Sequence, residues 1–372
     1  MMMNKRSGSV VLYALMVLAA MLFLVQGIIK GVFINNRFTA NMLAREQAEL
    51  LAYSGIELAR AQLMLADDAE EGASTESADE QKKPDEAKKA KGMLKRVLPH
   101  LNRWQTCKLN NKTDQVDGTI TFCISSENGK LNINEVFNFE QMAFKKPFDD
   151  IIKKLEIKPT LKQGEVHDRL VEFFKKHKKR LYDVSELLLV PGLQSLDIFY
   201  SPPPAPAKGK PSVANVNVTL LDVFTVWTPD DKINPLWFSD SWCGILGLRR
   251  PHADDAEKQK EVFKKVIEQC KPEAQTDWDN QWSILEPMYG QKPKIISAIK
   301  ENFPKEFGST VYSVLSCGKV EEVECKLLAI LQLQTVPEKK TEKPKDKAQN
   351  EVKSEPGVQP KKELKILRIY WL

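Results

Sequence analysis

The side chains able to do chemistry are few and scattered in this chain. Four histidines, His100, His167, His177 and His252, stand apart beside Pro, Asp and Lys, in the manner of surface residues. They cannot build a His-rich metal cluster. No phosphate-cradling P-loop, dinucleotide-binding glycine fingerprint, HExxH, GxSxG or CxxC is present. The six cysteines pair locally by their surroundings: Cys107 with Cys123 on adjoining strands, Cys243 with Cys270 in one helical segment, and Cys317 with Cys325 about one hairpin. In an oxidising compartment these are disulfide candidates, although six cysteines allow fifteen connectivities. Their spacings do not match a zinc site. Two acidic doublets, Asp230-Asp231 and Asp254-Asp255, offer the oxygen ligands a hard cation takes, without the spacing of an EF-hand loop. No residue is assigned a catalytic role, and the chain reads as a non-enzyme.

The first element that could position anything is a helix of membrane length. No charged residue occurs from Ser7 to Ile29; Lys5 and Arg6 precede this run and Lys30 follows it. Val10 to Ile29 is 20 residues, and as a helix it spans about 30 Å, the hydrocarbon thickness of a bilayer. A cleaved secretory signal would have a shorter apolar core and a small-residue cleavage site, and none precedes Lys30. The segment reads as an uncleaved single-pass anchor. Lys5 and Arg6 favour a cytoplasmic N-terminus, which leaves the bulk outside the cytoplasm.

The helical pattern continues past the anchor. Residues 38–66 hold no proline and one glycine, Gly55, and are rich in strong helix formers. Leu51, Leu58 and Leu65 recur at seven, with Leu43 and Leu50 nearby, and predict one apolar stripe. Residues 67–96 then form a charged stretch, acidic from Asp67 to Glu80 and lysine-rich from Lys82 to Lys91, expected to be a disordered linker. From Trp104 the pattern turns to strands. Thr119–Ser125 alternates behind an Asp117-Gly118 turn, and Lys130–Asn138 follows Asn128-Gly129. Residues 139–200 read as helices, with Ser185 expected to cap the one that Pro191-Gly192 ends. The proline-rich spacer 201–212 precedes Val216–Trp227, an expected strand, and further helical material with several tryptophans, read as core. Thr310–Gln334 reads as a hairpin about Gly318. The tract 337–363 has eight Lys, six acidic residues and four Pro and reads as a disordered surface loop. Leu364–Leu372 is β-competent and should return to a sheet, since otherwise it would be an exposed apolar tail.

Composition narrows the classes. A hydrophobic share of 42% in 372 residues supports a sizeable core, and a net charge of +5 gives no argument for nucleic acid. The motif that suggests it is Val190-Pro191-Gly192-Leu193, which resembles the hairpin of helix–hairpin–helix proteins of DNA uptake. Cys243–Leu248 is a poor second copy. A membrane-anchored enzyme is the third class, and no motif stands behind it.

Several stretches resemble a known family. The leader Lys5-Arg6-Ser7-Gly8, with an apolar helix beginning at once, resembles a type IV prepilin. Thr39–Ala59, Gly129–Asn134, Tyr182–Leu193 and Val216–Leu236 resemble segments of the minor pseudopilin of type II secretion, the general secretion pathway protein K family. The charged stretches 67–96 and 337–363 and the segment Asn234–Phe238 depart from it. The resemblance implies cleavage by a prepilin peptidase between Gly8 and Ser9. It places Tyr13 at the fifth mature position, where most pilins carry Glu and this family does not. It implies an α+β fold: a long N-terminal transmembrane and amphipathic helix packed on a small antiparallel sheet, the pilin-like head, with a large helical insert. The expected division is 1–8 leader, 9–66 transmembrane and spine helix, 67–96 linker, 97–138 first part of the head, 139–308 insert in two halves split at 201–212, and 309–372 second part of the head. It further implies a structural subunit at the tip of a secretion pseudopilus, helping to initiate assembly. Its partners would be other minor pseudopilins, the major pseudopilin, prepilin peptidase and the inner membrane, with the bulk periplasmic and nucleic acid disfavoured. Calcium is the cofactor the resemblance allows.

Overall fold

The computed structural model describes residues 7–68, 97–157, 161–200, 218–248, 256–269, 278–290, 302–304, 310–336 and 361–372. Helix α1 (Ser7–Asp68) runs unbroken for 62 residues. It contains no proline, and its Ala, Leu, Glu and Gln content favours propagation over interruption. Its first half is bare: Leu12 to Phe38 leave their apolar side chains exposed. Its second half buries Ala44, Ala48, Leu51, Ala52, Ile56, Ala59 and Leu63, at the three- and four-residue steps of one helical face.

The expected leucine stripe is corrected here. Leu51 faces inward, but Leu43, Leu50 and Leu58 are exposed, Leu58 by 41%. The side chain of Leu65 lies outside the described residues. Ala48 and Ala52 lie where Gly318 brings the sheet too close for larger side chains, and Leu51, Ile56 and Leu63 share the buried face with them.

That sheet is assembled from both ends of the remaining chain. Strand β1 (Trp104–Leu109), the short helix α2 (Asn111–Asp114) and β2 (Gly118–Ser126) form a hairpin, with Trp104 opposite Cys123 and Leu109 opposite Gly118. The chain then leaves the sheet through β3 (Leu131–Asn132), α3 (Ile133–Val136), β4 (Phe137–Asn138) and β5 (Ala143–Phe144). Helices α4 (Phe148–Ile152), α5 (Glu165–His177) and α6 (Leu196–Phe199) follow. Next come α7 (Leu220–Val223), β6 (Phe224–Thr225), α8 (Asp240–Ile245), α9 (Ala256–Gln269) and α10 (Trp278–Tyr289). The chain re-enters the sheet with β7 (Val311–Val320), β8 (Val323–Val336) and β9 (Lys361–Trp371). The sheet order is β1-β2-β7-β8-β9, all antiparallel. The fold is thus α+β: a long helix on an antiparallel sheet, with mostly helical material between β2 and β7.

Strand alternation assigns the faces. Ile120, Phe122 and Ile124 on β2 and Tyr312, Val314, Ser316 and Gly318 on β7 look toward α1; Cys123, Ser313, Leu315 and Cys317 look toward the intervening helices. One hydrophobic core continues from the α1 face through the sheet into those helices.

Several local expectations are revised. Lys130–Asn138 is not one strand, because the Asn132 side chain accepts the Asn134 amide at 3.0 Å and starts a helical turn. In the described part of the expected strand Val216–Trp227, Leu220–Val223 likewise forms the turn α7 before the short β6. Asp183, not Ser185, caps the 3₁₀ helix Val184–Leu189: its carboxylate accepts the Ser185 amide, and Glu186 reaches back to the Asp183 amide at 3.0 Å. The β7–β8 hairpin turns at Glu321 (φ 51°), while Gly318 lies inside β7. The tracts 69–96, 201–217 and 337–360 lie outside the described residues, so the expected linker, proline spacer and most of the expected loop are not described.

Candidate functional site

Two features concentrate the unusual residues: the two-part helix α1, and the buried junction where the intervening segment leaves the sheet. Gly8 and Ser9 lie in the first turns of α1, and Tyr13 is 68% exposed among apolar neighbours. Among the described residues α1 is the one helix long and apolar enough to cross a membrane.

Below that segment the helix and sheet meet through a seam of small residues. A Cβ on Gly318 would fall on the Ala48 carbonyl and the Ala52 amide. A Cβ on Gly55 would fall on the Ser316 hydroxyl, and one on Gly118 would meet Leu51. The α1 backbone therefore lies directly on β7 at Gly318, where a side chain would meet main-chain atoms, while at Gly55 and Gly118 an added Cβ would make neighbouring side chains shift. At the seam's edge Gln62 and Gln105 exchange amide hydrogen bonds of 2.8 and 3.1 Å, tying α1 to β1.

The junction is polar and dry. Lys130 and Glu127 are both 1% exposed and form an ion pair of 2.5 Å. Lys130 also donates to the Ser313 hydroxyl on β7 at 3.0 Å, and Thr225 of β6 donates to the other Glu127 oxygen at 2.5 Å. One ion pair thus connects β7, the turn after β2 and the middle of the inserted segment. Parallel pairing of Leu131 with Phe224 and Asn132 with Thr225 extends this link. The Asn234 amide donates to the Asn128 carbonyl at 2.8 Å, and a Cβ on Gly129 would strike the Trp237 carbonyl. Asp222 lies half-buried beside this network. Burial pushes its carboxyl up and Asp240 adds to that, while Lys130 and the hydroxyls of Thr219 and Ser241 oppose it.

Two of the three expected cysteine pairs fail on register. Cys107 stands opposite Ile120 and faces α1, whereas Cys123 faces the other way. Cys325 stands opposite Gly318 on the α1 side, whereas Cys317 pairs with Lys326 on the far side. An odd offset in the ladder puts each pair on opposite faces, and a disulfide needs its Cβ vectors convergent. All four are free thiols, as is the buried Cys243; its expected partner Cys270 lies outside the described residues. Burial, with help from Asp222 and Asp240, pushes the Cys123 thiol up. Burial, then Glu324, pushes Cys317 up to about 12. These are packing thiols, not nucleophiles.

The acidic doublet does not fit a calcium ion. Asp231 turns to Lys145 at 3.3 Å, and Asp230 accepts the Lys232 amide at 3.2 Å. Asp254-Asp255 and His252 lie outside the described residues. Among the described residues no group of three or more His, Cys, Asp or Glu is placed to hold a metal. His167 departs from its expected surface role. It is 9% exposed, with Nε2 at 2.8 Å from Asp149 and Nδ1 at 2.9 Å from Asp168, and it ties α4 to α5. Nothing in the sequence spacing marked that link. In the Val190–Leu193 turn, the Leu193 amide is spent on the Val190 carbonyl at 2.9 Å. The Arg169 guanidinium covers the turn by donating to the Pro191 carbonyl at 2.8 Å.

No family model matches the chain, and no curated protein matches it. Among solved structures, the chain is similar to one in the GspK–GspI–GspJ complex of the enterotoxigenic Escherichia coli type 2 secretion system. The identity is 12% and the TM-score 0.39, over 90% of this chain and 98% of that one.

Proposed function

We propose that this chain is a structural minor pseudopilin: a subunit held in the inner membrane by α1, cut by prepilin peptidase between Gly8 and Ser9, and placed at the tip of a type II secretion pseudopilus. The observation that carries this reading is the division of α1. From Leu12 to Ile29 it exposes an uncharged apolar surface that only lipid or other apolar helices can cover. Its second half is an Ala/Gly face fused to a sheet. Such a helix serves as anchor and as assembly spine, with the head carried rigidly on it. The remainder of the chain lies on the periplasmic side, and the partners are the other minor pseudopilins and the major pseudopilin.

Tyr13 supports the tip position. A carboxylate in the apolar bundle costs about 3 kcal/mol unless neutralised, and a tip subunit has no neighbour above it to supply an amine. An uncharged fifth position suits that place.

The test is intact-mass spectrometry of membrane-extracted protein from cells with active prepilin peptidase. The expected mature chain begins at Ser9. Retention of Met1–Gly8 under those conditions refutes the reading. Counting subunits in isolated filaments separates the tip from the shaft: about one copy per filament is expected, and a number like that of the major subunit rules the tip out.

A further inference from the structure

Lys175, Lys176, His177, Lys178, Lys179 and Arg180 form an unbroken basic run, and all six are exposed. Basic residues in a last turn complement the helix dipole, which accounts for Lys175, Lys176 and His177 at the end of α5. It does not account for Lys178, Lys179 and Arg180, which lie past the helix. The chain there is held in place. Lys178 adopts a left-handed conformation (φ 51°), with its amide on the Phe174 carbonyl at 2.8 Å. The Asn134 side chain then clamps the Leu181 backbone with two hydrogen bonds, each 2.8 Å. The run is therefore a fixed ridge, not a loose tail.

Lys178 and Arg180 form one wall of a cavity of about 510 Å³. Its floor is Phe137 and Phe139, locked on Phe174 with ring centroids 4.5 and 5.6 Å apart. Asn138 and Lys145 line it further. Arg180 meets Glu135 at 2.9 Å. Among the described residues no carboxylate lies within ion-pair distance of Lys175, Lys176, Lys178 or Lys179.

We propose that this ridge and cavity bind an acidic segment of another polypeptide, its Asp and Glu side chains on the lysines and its main chain over the Phe139 floor. A nucleic-acid strand fits less well. It carries a charge every ~3.4 Å and would meet both Glu135 and Glu140 in the cavity. Phe137 is fully buried and offers no face for base stacking. A peptide can step past the two glutamates, since successive side chains point to opposite sides, and its amides can donate to Glu140. A lipid surface fits poorly as well. Along β7, Gly318 meets Ala48 and Ser316 meets Gly55, so the Tyr312 end points toward the C-terminus of α1. The ridge hangs from that end, where Ser126 pairs Tyr312, away from the exposed apolar half. The proposal stands apart from the assembly role, because the ridge takes no part in the α1 seam.

The test is fluorescence anisotropy of the full-length protein in neutral detergent with a labelled Glu/Ser-alternating peptide. Saturable binding is expected, weakening at least tenfold between about 50 and 300 mM salt. The triple variant K175Q/K176Q/K179Q alters only exposed side chains and should lose at least tenfold in affinity. The variant K264Q/K265Q, on the exposed face of α9, should bind like the unaltered chain. The proposal is overturned by absence of peptide binding, by unchanged affinity in the triple variant, by equal loss in the α9 variant, or by tighter binding of single-stranded DNA or anionic vesicles than of the peptide.

Discussion

Replacing Lys130 with methionine tests whether the buried junction holds the inserted segment on the sheet. Met has nearly the length of the lysine stem, so packing is kept while the charge is removed. Glu127 would then stay 1% exposed with a carboxylate whose remaining named donor is Thr225, and Ser313 would lose its donor. Breaking one member of a buried pair costs about 3–5 kcal/mol, because the other charge stays desolvated. Against a total stability of about 5–15 kcal/mol, that is a large fraction. The reverse holds for the double variant K130M/E127Q, which removes both charges and should recover most of the loss. The assay is urea denaturation of the full-length protein in detergent, followed by tryptophan fluorescence. Trp237 and Trp242, both buried beside the junction, report it directly. The coupling from the cycle should exceed about 2 kcal/mol. A K130M stability within about 1 kcal/mol of the unaltered chain, or a double variant no better than the single, would refute the argument.

Three further outcomes follow from the same geometry. Gly318→Val should destabilise by about 2 kcal/mol or more by pushing β7 off Ala48, whereas Leu58→Ala, on an exposed position, should change stability by less than about 1 kcal/mol; denaturation midpoints of the two compare them. Burial alone would raise the Asp149 carboxyl, but hydrogen bonds from Lys153 and His167 overcome it and hold it below the usual carboxylate range. A depressed folded value stabilises above the unfolded value of about 3.9, and that stability is lost as pH falls through the folded value. Stability measured between about pH 5 and 3 should therefore fall less steeply in Asp149→Asn. Site-resolved thiol labelling should modify Cys107 in the folded protein but leave Cys243, Cys123 and Cys317 untouched until denaturant is added; prompt labelling of Cys317 would contradict its burial.

Much of the architecture was legible in sequence, for identifiable reasons. An uncharged apolar run followed by proline-free helix formers can only extend a helix, and α1 is one. Strand-like sequence at Thr119–Ser125, Thr310–Gln334 and Leu364–Leu372 pairs into one sheet although long stretches separate the pieces. The failures are also instructive. Reading Leu51, Leu58 and Leu65 as the packing face assumed that the largest apolar residue lies inside. Here the close approach of backbone to backbone selects Ala48, Ala52 and Gly55. The local cysteine pairs looked sound by spacing, but spacing does not show register, and a shift of one residue reverses a face. The Glu127–Lys130 pair and the His167 clamp were invisible because their partners, Thr225, Ser313 and Asp149, are remote in sequence or carry no distinguishing pattern.

The seam and the junction together explain how one sheet tolerates so long an excursion between β2 and β7. An insertion costs loop-closure entropy that grows only slowly with length, so the demand falls on the two points where the chain leaves and returns. At those points Ser126 pairs Tyr312, Lys130 reaches Ser313, and Thr225 reaches Glu127. The exit, the return and the middle of the excursion are thus tied at one junction, and the sheet feels a short connection. On the opposite face Gly318 and Gly55 let α1 press on the same strand. Strand β7 is therefore held from both sides, by backbone contact with the helix and by a buried charge from the junction. A load on α1 passes to the intervening helices through the sheet, with β7 carrying both the backbone contact and the buried charge. That rigidity is what the proposed role requires, in which α1 positions a large head.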